Sequence, residues 1–358
     1  MTTYSASLKQ HPADPCLYYV NTPEVKVYIA VHTDDYLVAT NCESWYRKFY
    51  AAYNALYPST DQGQVTKFLG INVDYNVKEH RLTLSQEGEI HELLQKFGLK
   101  EAHSKPSPMV LGTLLPSDTE IDPSLSYRQL TGALLWIARN TRPDILYAVQ
   151  YHAQFSNCST AQHFTSLKRV LLYLKGTASW KIIYTKSDGQ RKVELYSDTD
   201  WAANKLDRRS WSGSAITVDG NLIGWWCRKQ QVVALSSMEA EYMGMCSASR
   251  NGMYIVHLLY HVAKTYLPIP LYCDNRAAEI FSSKAMINER TKHIDIAYHY
   301  VRQKIAQGFF KPIHINTDVN LADLFTKALT SDRTQWLGQA LLGMRVISMA
   351  IYNKFGYK

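Results

Sequence analysis

The chain has 358 residues, and 39 Lys and Arg against 31 Asp and Glu give a formal net charge of +8. With 46% hydrophobic and 20% charged residues it can bury the cores of about two domains, which excludes a disordered chain. No apolar run reaches the ~18–20 residues of a membrane helix, and the N-terminus lacks the basic start and apolar stretch of a signal peptide, so an intracellular protein, not secreted, is expected. The six cysteines (Cys16, Cys42, Cys158, Cys227, Cys246, Cys273) include no C-x-x-C pair, which speaks for reduced thiols and against a zinc cluster.

In chain order, Leu17–Val20, Val25–Val31 and Tyr36–Ala39 read as strands, with His32-Thr33-Asp34-Asp35 between the last two. Lys67–Val73 and Arg81–Ser85 read as a hairpin, and Glu87–Phe97 as a helix stopped by Gly98. Ser104–Pro123, rich in Pro, Ser and Thr, reads as a linker. Helices are then predicted from Tyr127 to Ala138, from Pro143, and from His163 to Leu174. Beyond residue 190 the pattern turns to strands at Lys192–Ser197, Ser214–Val218 and Leu222–Cys227, the last two joined across Asp219-Gly220, and at Gln231–Leu235. A helix follows from Ser237 past Arg250, then a strand at Ile269–Cys273, helices at Arg276–Ser282 and Ile294–Gln307, a strand at Phe310–Ile315 and a helix from about Leu321. This order predicts an α+β fold, a mixed sheet with flanking helices.

Within that last block, acids fall at the ends of elements. Asp198 and Asp274 end strands, Glu239 lies in the first turn of the long helix, and Asp323 starts the last helix. If the two strands are neighbours, the four carboxylates meet at one sheet edge, repel one another and call for cations. Mg²⁺ suits carboxylate oxygens, and two such ions about 3.5–4 Å apart serve phosphodiester hydrolysis. Acids are also ordinary residues in first helical turns and after strands, so spacing alone leaves both readings open.

The motifs Tyr196-Ser197-Asp198-Thr199-Asp200-Trp201-Ala202, Arg208-Arg209-Ser210-Trp211-Ser212-Gly213, Ser236-Ser237-Met238-Glu239-Ala240-Glu241-Tyr242, Cys273-Asp274-Asn275, Thr291-Lys292-His293-Ile294-Asp295 and Ala322-Asp323-Leu324-Phe325-Thr326-Lys327 follow one another in the chain. In this order they closely resemble the RNase H domain of copia-type LTR retrotransposon Pol polyproteins. Upstream, Ala13-Asp14-Pro15-Cys16-Leu17-Tyr18, Lys67-Phe68-Leu69-Gly70-Ile71 and Thr141-Arg142-Pro143-Asp144-Ile145 resemble the same family's reverse transcriptase and the segment that joins it to RNase H.

The resemblance implies a truncated reverse-transcriptase palm and thumb over 1–105, a linker and helical connection over 106–189, an RNase H-like domain over 190–335 and a tail over 336–358. It implies a ribonuclease H that cuts the RNA strand of RNA–DNA hybrids with two Mg²⁺ ions, Mn²⁺ being a possible substitute. Asp198, Glu239, Asp274 and Asp323 would hold the metal, with Glu241 the competitor for Glu239. Arg208, Arg209, Ser210, Lys292 and His293 would contact the nucleic acid, positioning the duplex through its phosphates. Asp34 and Asp35 stand where the family's polymerase motif has Tyr-Val-Asp-Asp, with His32 and Thr33 before them. The family's further polymerase aspartate would precede residue 1, so DNA synthesis by this chain alone is not expected. The resemblance further implies, as partners, the hybrid and the remaining Pol segments of a complete element, with no membrane, in a cytoplasmic virus-like particle or the nucleus. An inactive retrotransposon remnant is the alternative reading.

Overall fold

The computed structural model describes residues 8–117, 119–187, 191–202, 204, 206–260, 262, 267–283 and 299–345. The fold is mixed α+β with several sheets, divided into two compact units: residues 1–69 with 251–265, and residues 70–250 with 266–358. Among the described residues no helix is long and apolar enough to cross a membrane.

The first unit holds a four-stranded antiparallel meander of β1 (Lys9–His11), β2 (Asp14–Asn21), β3 (Lys26–His32) and β4 (Asp35–Thr40). Along β3 the side chains alternate, and Val27 and Ile29 join Val20 and Val25 in a small core. His32 pairs with Asp35 across a two-residue turn at Thr33-Asp34, and both Asp34 and Asp35 are exposed. A helix that the strand-like composition conceals, α1 (Glu43–Leu56), follows. Its Trp45, Phe49 and Tyr53 recur every fourth residue and stack on one another, and Trp45 and Phe49 pack on the core of the meander. Leu69 and Gly70, both in the left-handed backbone region, interrupt the strand expected over 67–73, leaving β5 (Lys67–Phe68) and β6 (Ile71–Asn76) as separate strands.

In the second unit β6 pairs with β7 (Arg81–Ser85), and β7 with β8 (Ile182–Thr185). The helices α2 (Glu87–Lys96), α3 (Tyr127–Asn140), α4 (Leu146–Ala153) and α5 (Ala161–Gly176) carry most of a continuous apolar core. Among the described residues of Ser104–Pro123 there is no helix or strand, yet Ser107, Met109 and Leu115 are buried, and Arg169 donates to the Ser107 carbonyl. The Thr141-Arg142-Pro143-Asp144 motif forms a buried ion pair. Arg142 donates from Nε (2.9 Å) and Nη2 (2.6 Å) to the two Asp144 oxygens and from Nη1 to the Thr177 carbonyl, while Tyr173 donates to Asp144. Every polar group of the pair is met, which is the condition for tolerating a charge in a dry interior.

The same core continues under a five-stranded sheet of β9 (Val193–Asp200), β10 (Trp211–Val218), β11 (Asn221–Lys229), β12 (Ile269–Cys273) and β13 (Phe310–His314). The spatial order is β11-β10-β9-β12-β13; the first three strands are antiparallel hairpins, and β12 and β13 run parallel to β9. Strands that run parallel and are joined through helices end at one common edge. The connecting elements are α6 (Ser237–Tyr260), α7 (Arg276–Ser283) and α8 (Tyr300–Ala306). Two expectations are corrected. Gln231–Leu235 is a loop, because it must carry the chain from the end of β11 to the start of α6, and Val232, Val233 and Leu235 are exposed. The element expected from Leu321 is a short 3₁₀ turn, Leu321–Phe325, and a separate helix, α9 (Ser331–Leu341), follows it. Of the helix expected over Ile294–Gln307, Tyr300–Ala306 is helical and the part before His299 lies outside the described residues.

Candidate active site

Register places the first two acids. Tyr272 on β12 pairs with Tyr196 on β9 in parallel, so two residues further on Asp274 comes level with Asp198. Asp198 is 1% exposed and faces Gly213 on β10. Gly213 is what lets the Leu321–Phe325 turn lie against the sheet here: a Cβ would meet Phe325 Cβ at 2.7 Å, Thr326 Cγ2 at 2.8 Å and the Ala322 carbonyl at 2.9 Å. Asn320 fixes that turn, its Oδ1 accepting from Ala322 N and its Nδ2 donating to the Ser197 carbonyl at 3.0 Å. Asp323, also 1% exposed, is thereby carried to the same edge, and Thr326 donates its hydroxyl to Asp198 Oδ2.

The third contribution comes from α6, which packs closely on β9 because residue 244 is glycine. A Cβ there would sit 2.2 Å from the Thr199 hydroxyl oxygen. The acid that this helix brings to the edge is Glu241. Among the described residues, Glu241, Cys273 and Asp274 form the one trio whose ligand atoms all lie within 4.8 Å of one another. Glu239 is placed differently: its Oε2 accepts from Leu235 N at 2.8 Å, closing the loop before the helix. Two residues on an α-helix stand about 200° apart around its axis, so only one of the two acids can face the sheet. Of the two helix acids weighed from the sequence, the structure brings Glu241, the competitor, beside Asp274 and sets Glu239 against the Leu235 amide.

The charges are out of water and close together. Burial raises Glu241 well above the usual carboxylate range, and Asp198 and Asp274 push it the same way. Burial also pushes Asp198 up to about 7, with Lys327 opposing and Asp323 and Asp274 adding to the rise. Cys273 is raised by burial and by Glu241, so its sulfur stays a neutral thiol. Such a donor set of carboxylates without a thiolate fits a hard, oxygen-seeking divalent ion at Asp198, Glu241 and Asp274. Asp274 Oδ2 is oriented by the Thr317 hydroxyl at 2.7 Å. Asp323 fits less well. Arg333 donates from Nε to its Oδ2 at 2.9 Å, with Nη2 ion-paired 2.7 Å from the same oxygen, and Lys327 pairs with its Oδ1.

The residues expected to hold nucleic acid are dispersed. Arg208 and Arg209 are exposed on the loop before β10, with Arg209 Nε 3.9 Å from Asp207. Ser210 is fully buried and its hydroxyl accepts from Ala202 N, so it braces the loop and offers nothing to a phosphate. Lys292 and His293 lie outside the described residues. Sequence reasoning left Lys327, Arg333, Gly213 and Gly244 without roles. The signals were there: Lys327 follows Asp323 by four residues, and the glycines interrupt a strand and a helix where a missing side chain marks close approach. Beside Asp274 opens a groove of about 760 Å³ lined by Arg276, Lys311, His314 and Thr317.

No protein-family model matches the chain. It is 32% identical over 321 residues to the retrovirus-related Pol polyprotein from transposon RE1 of Arabidopsis thaliana, covering 89% of this chain and 22% of that protein. It is 31% identical over 252 residues to the putative transposon Ty5-1 protein of Saccharomyces cerevisiae, covering 69% of this chain and 79% of that one. Among solved structures, the N-terminal RNase H domain of Rv2228c from Mycobacterium tuberculosis, a fusion with maltose-binding protein, matches 42% of this chain and 97% of its own at 12% identity. The TM-score of that match is 0.28. The chain spans about a fifth to a quarter of the length of the curated Pol polyproteins it matches. Likeness along nine-tenths of the chain to one transposon polyprotein, and along four-fifths of a second transposon protein, makes this chain a member of the retrovirus-related Pol family of transposons.

Proposed function

We propose that the chain is the ribonuclease H-bearing part of a copia-type retrotransposon Pol protein, and that it hydrolyses the RNA strand of an RNA–DNA hybrid with a divalent cation. The observation that carries this reading is that Glu241 and Asp274 come within metal-ligand reach of one another at the edge of the five-stranded sheet, where register sets Asp198 level with Asp274 and both aspartates act on the Glu241 carboxyl. The order of the motifs and the family membership support it. Residues 190–335 would carry the nuclease sheet and 1–105 the palm and thumb remnant, joined by the helical block between.

Bound by these three carboxylates, Mg²⁺ or Mn²⁺ would polarise a phosphodiester and favour its attack by water. The protein's own groups hold and orient. Thr317 fixes Asp274, and Thr326 fixes Asp198. The groove past Asp274 offers Arg276, Lys311 and His314 to the backbone of the nucleic acid, and contacts of this kind position a duplex without reading its sequence. Discrimination of the RNA strand would rest on its 2′-hydroxyls.

The test is incubation of the full chain with a hybrid labelled on the RNA strand, with Mg²⁺ or with EDTA. Cleavage that needs the metal and disappears in Asp198→Asn agrees with the reading. Absence of cleavage favours the inactive remnant, and cleavage that Asp198→Asn leaves intact rules out this site.

A further inference from the structure

Asp323 is the fourth acid that the resemblance assigns to metal, yet its charge is already answered twice. Both of its oxygens are engaged, Oδ2 by the Arg333 guanidinium and Oδ1 by the Lys327 ammonium. Arg333 is itself held by Asp318 Oδ1 at 3.1 Å and by the Thr317 carbonyl at 2.5 Å, so it is not a loose surface side chain. Lys327 also approaches Asp198, its Nζ 3.9 Å from Oδ2. A lysine ammonium is a compact point charge, and here it stands between the two carboxylates that a second metal ion would have to share. On the other side of Asp198, neither Glu241 nor Asp274 is ion-paired among the described residues.

We propose that this centre takes one divalent ion, at Asp198, Glu241 and Asp274, and that the Lys327 ammonium serves as the second cation, fixed between Asp198 and Asp323. The inference rests on the nuclease reading for the first ion and departs from the two-ion expectation for the second. Asp323 then acts as a positioning residue: with Arg333 beside it, it holds Lys327 against Asp198. A tethered charge of one unit leaves Asp198 free to turn its other oxygen to the metal. A second divalent ion entering the same place would meet two fixed cations, Lys327 and Arg333, within a few ångströms.

Calorimetric titration of the full chain with Mn²⁺ at pH 7.5, run beside the hybrid-cleavage assay, tests this. The expected result is one Mn²⁺ per chain in the unaltered protein and in Lys327→Arg, and a second, weaker Mn²⁺ in Lys327→Met, where the place is vacated. Asp323→Asn is expected to retain the single ion at reduced affinity, since a neighbouring charge and the hold on Lys327 are altered. Glu241→Gln, which removes a ligand, is expected to leave no measurable Mn²⁺ binding. Two ions in the unaltered chain, no ion in the unaltered chain, or no measurable ion in Asp323→Asn overturns the proposal, and the last measurement decides even if Lys327→Met fails to fold. Hybrid cleavage by a chain holding two ions sinks the cation assignment and leaves the nuclease reading standing. One bound ion without cleavage does the reverse.

Discussion

At the scale of single residues, the choice between Glu239 and Glu241 decides the chemistry. The sequence shows an acid-x-acid start to the helix, but it does not fix how that helix is rotated on the sheet; close packing through Gly244 does. Glu241→Gln is therefore predicted to lower hybrid cleavage by at least about a hundredfold, the scale at which removing one group that acts in the transition state is felt. Glu239→Gln is predicted to cost about 1 kcal/mol of stability through the weakened bond to Leu235 N, with a much smaller change in rate. Steady-state kinetics of the two variants, with thermal melts, checks both; equal losses of activity would remove the distinction. A second residue sets a pH dependence far from the site. His152 is fully buried, with Nδ1 against the Ala148 carbonyl and Nε2 against the Ser166 hydroxyl. Burial lowers its pKa from 6.5 to about 4. The unfolded chain takes up a proton there below pH 6.5 and the folded chain does not until about pH 4, so this stabilisation is complete above 6.5 and is lost as pH falls toward 4. Between pH 7.5 and pH 5 the loss amounts to about 2 kcal/mol. Urea unfolding at the two pH values, repeated with His152→Gln, is expected to show a pH slope that shrinks by that amount in the variant.

At the scale of elements, what brings the acids together is the closeness of three backbones. Gly213 admits the Leu321–Phe325 turn to the face of β10, and Gly244 admits α6 to β9. Gly213→Ala is predicted to destabilise the protein by about 1–3 kcal/mol, because the added methyl would overlap backbone and Cβ atoms that cannot swing aside. It should also loosen the Thr326 hydroxyl from Asp198, so Mn²⁺ affinity should fall along with the melting temperature. An unchanged melt and unchanged Mn²⁺ binding would show that the turn does not need this approach. Hairpins and amphipathic helices were legible from alternation and from the fourfold spacing of apolar residues, since those patterns report one buried face directly. Where reading failed, context had overruled local preference. Val232, Val233 and Leu235 look like a strand but span a connection with no room for one. The helix α1 went unread, although its aromatic residues recur every fourth position and stack along one face. The candidate site was legible in its residue types and order. Its counter-charges were not, because Arg333 reaches Asp323 only through the path of the chain after the 3₁₀ turn.

At the scale of the molecule, the apolar core continues from the helical block into the five-stranded sheet. Tyr147 meets Trp211 edge to face with ring centroids 5.5 Å apart, and Trp225 donates its indole N–H to the Ala138 carbonyl at 2.9 Å. A fragment of residues 190–335 keeps the sheet and the acids but loses that cover. It is predicted to melt several degrees below the full chain and to bind an apolar dye that the full chain does not, since Trp211 and Trp225 become accessible. An identical melting temperature would mean that the sheet is complete without the helices. The division of labour across the whole chain remains tied to one claim, that its acidic edge cuts RNA paired with DNA. The most direct measurement is a time course of the full chain on three labelled substrates, an RNA–DNA hybrid, the same RNA alone and the same sequence as duplex DNA, each with Mg²⁺. The account predicts cleavage confined to the RNA strand of the hybrid and abolished by Glu241→Gln. Equal cutting of all three substrates, or hybrid cleavage that survives Glu241→Gln, would contradict it.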